Sequence, residues 1–308
     1  MSNDSKAFTL EASDARLLAP NGNVVLADDT WVTDCGFYPW DPDAPQAFRY
    51  HPLFLRKRSP KLRRLAGLTL SLAGDYTAYS YGHWLLDSVP RLKLVEEAGY
   101  RLTDFDHIYF PCPGPVARRL AVKFCFRPDQ LILEPWTDDV LCERLVATSH
   151  PGLPGFTPAF AAETLALAQN AAGQITSGRR IAILRDGYGR NLLNRSELYP
   201  LLLERGFELL DPRKDHDIPE RCRDAEVIFS IEGSNAYDLL FARPGTRVLI
   251  ITSPYHDTFP YPQSAAGAAG LRLFLLNGSP IPDVQANAQN DFLVAPSDLS
   301  RALDILLA

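Results

Sequence analysis

The sequence predicts an α/β protein in two lobes, the first opened by a β-rich N-terminal extension. Three observations carry this. The chain has 308 residues, more than one hydrophobic core usually serves, which favours two domains. From about residue 65 onward, short apolar runs alternate with helix-length segments, as strands and helices do in α/β domains. Between the halves lies His150-Pro-Gly-Leu-Pro-Gly-Phe-Thr-Pro158, a Pro/Gly-rich run that reads as a linker. The boundary is placed there, giving residues 1–155 and 156–308.

Composition narrows the functional classes. An apolar share of 46% and a charged share of 22% are those of an ordinary soluble globular protein. A formal charge of −6 argues against general nucleic-acid binding, which needs a basic footprint. The five cysteines, Cys35, Cys112, Cys125, Cys142 and Cys222, are odd in number and scattered. None forms a C-x-x-C pair, so neither a disulfide framework nor a zinc site is indicated, and a reducing compartment fits. The N-terminus is polar, without an apolar signal core, and no apolar run approaches the ~20 residues of a membrane span. The expectation is a cytoplasmic protein with at most peripheral contact at the inner membrane. One local charge feature departs from the acidic average: Arg56, Lys57, Arg58, Lys61, Arg63 and Arg64. It reads either as a solvated face or as a landing patch for anionic head groups or a pyrophosphate-linked acceptor.

Taken in order, Asn23-Val-Val-Leu-Ala, Asp28-Asp29 and Thr30-Trp-Val-Thr suggest a hairpin. Two aromatic clusters follow, Phe37–Trp40 and Phe48–Phe54, which suit packing or sugar stacking. Leu65–Leu72 is a strand leading into a helix over 82–97, which Pro90 should kink because its ring clashes with the carbonyl four residues back. Asp106–Phe110 is a strand, Pro115–Phe124 a helix, and Gln130–Leu133 and Leu145–Thr148 are strands. In the second half, Ala159–Ala172 is an alanine-rich helix and Arg180–Leu184 a strand. Asn194-Arg-Ser-Glu197 has capping-box spacing before a helix over 195–205. Phe207–Leu210 is a strand, Pro219–Asp224 a short helix, and Glu226–Ile231 a buried strand that runs into Glu232-Gly233-Ser234-Asn235 and a helix through Ala242. Arg247–Thr252 and Leu271–Leu276 are strands, and Ser297 caps a final helix over 298–307.

Three stretches carry candidate chemistry. On a helix, His83, Asp87 and Arg91 fall four apart on one face, beside Trp84 and after Tyr76, Tyr79 and Tyr81. These groups bind, orient or move protons, although His83 can equally cap a neighbouring strand and Asp87 can pair with Arg91. The strand–Gly233–helix junction exposes unpaired N–H groups and a positive dipole end, which suits a phosphate. Gly233 lets a ligand approach, and Ser234 or Asn235 can donate; a plain capped turn has the same appearance. Arg185 and Arg190 flank a glycine loop at a strand end, where two guanidiniums suit a diphosphate. No dinucleotide fingerprint or P-loop is present. Three D-x-D strings occur, at 41–43, 104–106 and 215–217, but none follows a buried strand, so no metal is expected. The loop Ser253–Pro262 contains His256, a secondary candidate or part of a proline-stiffened surface loop.

His83-Trp-Leu-Leu-Asp87-Ser-Val-Pro90-Arg91-Leu, then Arg185, Arg190 and Asn194, then Ala225-Glu-Val-Ile, Gly233 and Phe241-Ala-Arg-Pro-Gly245-Thr, resemble the family-61 glycosyltransferases in order and spacing. That family includes plant xylan-modifying enzymes, animal protein-O-glycan enzymes and bacterial capsular-polysaccharide proteins, the last being the type expected here. The resemblance implies two Rossmann-like lobes (GT-B type) and an inverting, metal-independent enzyme without a cofactor, using a UDP-linked nucleotide sugar and a glycan or lipid-linked acceptor. An inverting transfer needs a base, for which Asp87 and His83 are the catalytic candidates, one as base and the other as its orienter. Arg185, Arg190, Asn194, Glu232, Gly233, Ser234 and Asn235 would bind the donor, and Tyr81, Trp84, Arg91 and His256 the acceptor. The family usually has His where Glu232 stands and often Asn where Asp238 stands. A different class of function, a non-catalytic glycan- or nucleotide-binding scaffold derived from a transferase, follows from those two departures.

Overall fold

In the computed structural model, the chain opens with strands β1 (Thr9–Leu18), β2 (Asn23–Val25) and β3 (Trp31–Val32). They form the antiparallel half of a seven-stranded sheet that also contains β4 (Leu62–Ser71), β5 (His107–Tyr109), β6 (Leu131–Ile132) and β7 (Asp139–Thr148), in the order β3-β2-β1-β7-β4-β5-β6. The structure describes residues 7–36, 61–124, 127–152, 157–167, 178–187, 189–255 and 260–308. The chain divides into two compact units, Met1–Pro154 and Gly155–Ala308. Antiparallel pairing of β1 with β7, from Thr9↔Thr148 to Leu17↔Val140, joins the two halves of the first sheet. It is driven by burial: Ala15, Leu17 and Val24 pack with Tyr109, Val140, Cys142 and Leu145. The expected hairpin is present, with Val25 opposite Trp31. Strands β4 to β7 pair in parallel, as crossover helices require. Of the basic cluster, residues 56–58 lie outside the described residues. Arg64 pairs with Asp14 at 3.1 Å, and the Arg63 guanidinium lies 5.4 Å from the Trp136 ring centre, so these two are engaged with the sheet itself.

The helix expected over 82–97 is broken into pieces. Tyr81–His83 is α-helical, Trp84–Ser88 forms a π turn, and the α-helix resumes over Arg91–Glu97. Pro90 has no N–H to give the carbonyl of Leu86. The chain widens just before it instead, and the Val89 N–H reaches back five residues to the Trp84 carbonyl at 3.1 Å.

The second unit holds five parallel strands, β8 (Arg180–Ile183), β9 (Phe207–Leu210), β10 (Val227–Ile231), β11 (Arg247–Thr252) and β12 (Arg272–Asn277). Their order is β12-β11-β10-β8-β9. In this doubly wound arrangement the winding reverses between β8 and β10, the place where such sheets bind ligands at their carboxyl ends. Every residue of β10 is buried, as a strand covered on both faces must be. Phe229, Ile231, Leu249 and Ile251 pack with Leu198 and Leu202 of helix Arg195–Glu204 and with Leu299 and Leu303 of helix Pro296–Leu307.

Several details differ from the sequence reading. Asn194 makes no capping bond to its helix; its amide donates to the Val294 carbonyl at 2.8 Å and accepts from the Val294 N–H at 3.3 Å. The last helix begins at Pro296, one residue before Ser297, because a first-turn proline loses no needed donor. The segment after Gly233 is a 3₁₀ run, Ser234–Phe241. The alanine-rich helix is described over Ala161–Ala166. Among the described residues, no helix is long and apolar enough to cross a membrane, and Cys35, Cys112, Cys142 and Cys222 are buried.

Candidate active site

The chain leaves the carboxyl end of β4, makes a short turn over 72–80, and enters the helix at Tyr81. The His83 Nδ1 and the Asp87 Oδ2 lie 2.7 Å apart, with both side chains largely shielded from solvent. A carboxylate at this distance holds the proton on Nδ1 and makes Nε2 the accepting nitrogen. His83 immediately precedes the π turn and Asp87 lies within it, a distortion that recurs at functional sites. Tyr81 is partly exposed, with its ring 6.4 Å from that of Trp84.

Two residues expected to meet an acceptor lie inside the fold. Trp84 is fully buried and stacks on Phe110 with ring centres 5.0 Å apart. Arg91 is also fully buried. Its Nη1 donates to the carbonyls of Cys35 (2.6 Å) and Thr148 (3.0 Å), and its Nε donates to the carbonyl of Asp87 (2.8 Å). Its Nη2 lies 3.3 Å from His150 Nδ1. Arg91 therefore does not share an exposed face with Asp87; it gathers the ends of β7, the Cys35 turn and the π turn. Burial pulls its pKa down, opposed by Cys35 and by the carboxylates Asp87 and Asp75. Replacing Arg91 with Met takes the donor from two buried carbonyls, at Cys35 and Thr148, and from the part-buried one at Asp87, each costing about 1–3 kcal/mol where no other donor replaces it. The expected result in chemical denaturation is a loss of roughly 3 kcal/mol or more, with Lys failing to restore it because one ammonium cannot span the three acceptors.

In the second unit, Arg185 follows β8 and Glu232-Gly233 follows β10, so both stand at the reversal between those strands. The Arg185 Nε donates to the Gly189 carbonyl at 3.0 Å, and its guanidinium lies across Gly233. A side chain at Gly233 would put its Cβ 1.8 Å from Arg185 Nη1. The space that glycine opens is thus filled by Arg185, where the sequence suggested direct approach of a ligand. Arg190 Nη1 faces Glu232 Oε1 at 3.5 Å, while its buried Nε has no hydrogen-bond partner among the described residues. Glu232 is buried, and its Oε2 accepts from the Ser253 N–H at 3.2 Å. Two guanidiniums against one carboxylate leave a net positive charge, which suits an anion. Ser234 and Asn235, partly exposed, open the 3₁₀ run there. Both ends of the Asn194 amide bond Val294, just ahead of the final helix.

His256 lies outside the described residues, as does the D-x-D string at 41–43. The other two strings serve local structure: Asp106 Oδ2 accepts from the Leu68 N–H at 2.8 Å, and Asp215 Oδ2 from the Asp211 N–H at 2.7 Å. Among the described residues, no group of three or more His, Cys, Asp or Glu could hold a metal ion. A cavity of about 630 Å³ lies at the opposite, amino end of β10–β12, but its Arg243 and Arg247 pair with Asp224 and Glu226.

The family model for glycosyltransferase 61 matches residues 81–249, more than half of the chain. The chain belongs to glycosyltransferase family 61. The match opens at Tyr81, two residues before His83, and runs through the Arg185 loop and Gly233, so both groups of residues fall inside the family 61 region. Membership supports a glycosyltransferase, an activity that takes a donor and an acceptor. No curated protein matches the chain.

Proposed function

We propose that this chain is an inverting, metal-independent glycosyltransferase of polysaccharide biosynthesis. It moves a sugar from a nucleotide-sugar donor, UDP-linked, to a glycan or lipid-linked glycan. The observation that carries this reading is the His83–Asp87 pair at 2.7 Å in a family 61 chain. In an inverting transfer the acceptor oxygen bonds to the anomeric carbon as the bond to the diphosphate breaks, and the hydroxyl proton passes to a base. His83 Nε2 takes that proton, and Asp87 orients the ring and balances the imidazolium charge. Arg185 and Arg190 neutralise the departing diphosphate, with the N–H groups at Ser234 and Asn235. Glu232 serves the donor by holding Arg190, to which it is paired. The first unit is the acceptor side, using Tyr81, with His256 as a further acceptor contact, and the second unit is the donor side.

The test is release of nucleoside diphosphate from a panel of nucleotide sugars, with and without glycan acceptors. The expected result is release from one donor, at the same rate in excess EDTA. Complete loss in EDTA would overturn the metal-independent reading. Binding of nucleotide sugars without turnover of any would replace it with a non-catalytic scaffold, in which the Glu232–Arg190 pair has taken the place of a working phosphate site.

A further inference from the structure

Just ahead of the His83–Asp87 pair, and outside the family-matched residues 81–249, lies a turn with an unusual surface. Its backbone and supporting side chains are buried: Ala73, Asp75, Thr77 and Ala78 are all at most 4% exposed. Two large aromatic side chains are not: Tyr76 is 42% exposed and Tyr79 63%. The Tyr76 ring lies 5.3 Å from the His83 ring, tilted by 34°.

The turn is tightly determined. The Thr77 hydroxyl donates to the Gly74 carbonyl at 2.8 Å and accepts from the Gly74 N–H at 3.1 Å. The Asp75 N–H donates to the Gly36 carbonyl at 2.8 Å, and its carboxylate accepts from Asn21 at 2.8 Å and Asn23 at 3.1 Å. The N–H groups of Tyr79 and Ser80 both donate to the Tyr76 carbonyl, at 3.0 and 2.8 Å. This network holds Tyr76 at φ +66°, a left-handed conformation that bulky side chains rarely adopt. Glycine or asparagine would hold such a turn more easily. Backbone strain of this kind persists where surrounding structure over-determines it, and it gathers at working sites. Here its product is an exposed ring set beside an imidazole.

We propose that Tyr76 and Tyr79 form an aromatic platform that receives the apolar face of a pyranose ring of the acceptor next to His83. One face of an equatorially substituted pyranose presents axial C–H bonds, whose positive ends match the negative face of an aromatic ring. Its equatorial hydroxyls then radiate in the plane, where one can reach His83. The platform gives the site a substrate class, flat-faced pyranosides such as β-glucosides and β-xylosides. This rests on the reading of His83 as the acceptor-side base.

The experiment is saturation-transfer NMR on the full chain, with methyl β-glucopyranoside, methyl β-galactopyranoside and methyl β-xylopyranoside as probes. Saturation concentrated on the axial C–H protons of the glucoside and xyloside is expected. The Tyr76→Asn/Tyr79→Ala variant, whose Asn suits the left-handed backbone, should weaken this binding about tenfold, equivalent to about 1.4 kcal/mol. Tyr76→Phe/Tyr79→Phe, which keeps both rings, should bind within about twofold of wild type. If the double variant fails to fold, Tyr79→Ala alone, at the more exposed ring, carries the test. No saturation in wild type, or saturation unchanged by loss of the rings, overturns the platform. The two readings fail separately. Diphosphate release from a nucleotide sugar without ring-dependent pyranoside binding sinks the platform alone; ring-dependent binding without turnover of any nucleotide sugar sinks the enzyme reading and leaves a glycan-binding surface.

Discussion

Asp87→Asn should lower sugar transfer by roughly 10²–10⁴-fold, the range that a positioned general base contributes. The substitution is nearly isosteric, so the π turn and the Arg91 hydrogen bond to the Asp87 carbonyl are kept. What changes is the group 2.7 Å from His83 Nδ1. A carboxylate accepts only, so it fixes the Nδ1 proton and stabilises the imidazolium formed after proton transfer. An amide does neither dependably, because its NH₂ can face Nδ1 and turn the ring to the other tautomer, and it carries no charge. His83→Ala should cost as much or more. If the two side chains act as one unit, the double variant loses no more than the worse single variant. Donor binding is the control. A thermal-shift titration with the nucleotide sugar should show the same stabilisation in Asp87→Asn as in wild type, since the donor contacts assigned above belong to Arg185, Arg190 and the Gly233 segment. Full transfer activity in both single variants would remove the pair from the mechanism.

The parts of this site that were legible in the sequence are local ones. His83 and Asp87 are four apart, and a helical turn brings such residues together without help from the rest of the fold. The parallel strands of the second unit were legible for a similar reason: Val227–Ile231 and Arg247–Thr252 are apolar runs, and burial on both faces writes itself into composition. Misreadings came where a distant segment decides. Asn194 has the spacing of a helix cap, but its partner is Val294, one hundred positions along the chain. Arg91 has the spacing of a surface residue beside Asp87, but carbonyls from Cys35 and Thr148 draw it inward, and the π turn before Pro90 alters the helical phase. Strand β1 alternates only in two short stretches, Leu10 and Ala12 with Glu11 and Ser13, then Ala15 and Leu17 with Arg16, and its apolar residues change face at Asp14; its pairing with β7 makes it one strand. The left-handed Tyr76 had no local signal, since glycine or asparagine is what such a position usually displays.

Gly233→Ala is expected to reduce transfer about as much as removing the Arg185 guanidinium, on the order of 10²–10³-fold if that group stabilises the departing diphosphate. Two separate costs arise. The backbone at Gly233 has φ 154° and ψ 179°, a region essentially closed to side chains, so relaxing it adds strain of about 1–3 kcal/mol. An added Cβ would also stand 1.8 Å from Arg185 Nη1 and 2.6 Å from Cζ. The guanidinium is the tip of a flexible side chain, so it yields first and swings off the carboxyl ends of β8 and β10, loosening its bond to the Gly189 carbonyl. The two costs separate in a double-mutant cycle. Stability should fall in Gly233→Ala whether or not Arg185 is present, because the backbone strain does not depend on it. Transfer should fall in Gly233→Ala and in Arg185→Ala, yet scarcely further in the double variant, because the damage to transfer passes through the same guanidinium. Additive losses in transfer would mean that Gly233 meets the donor itself, and that Arg185 lies over it only until the donor arrives.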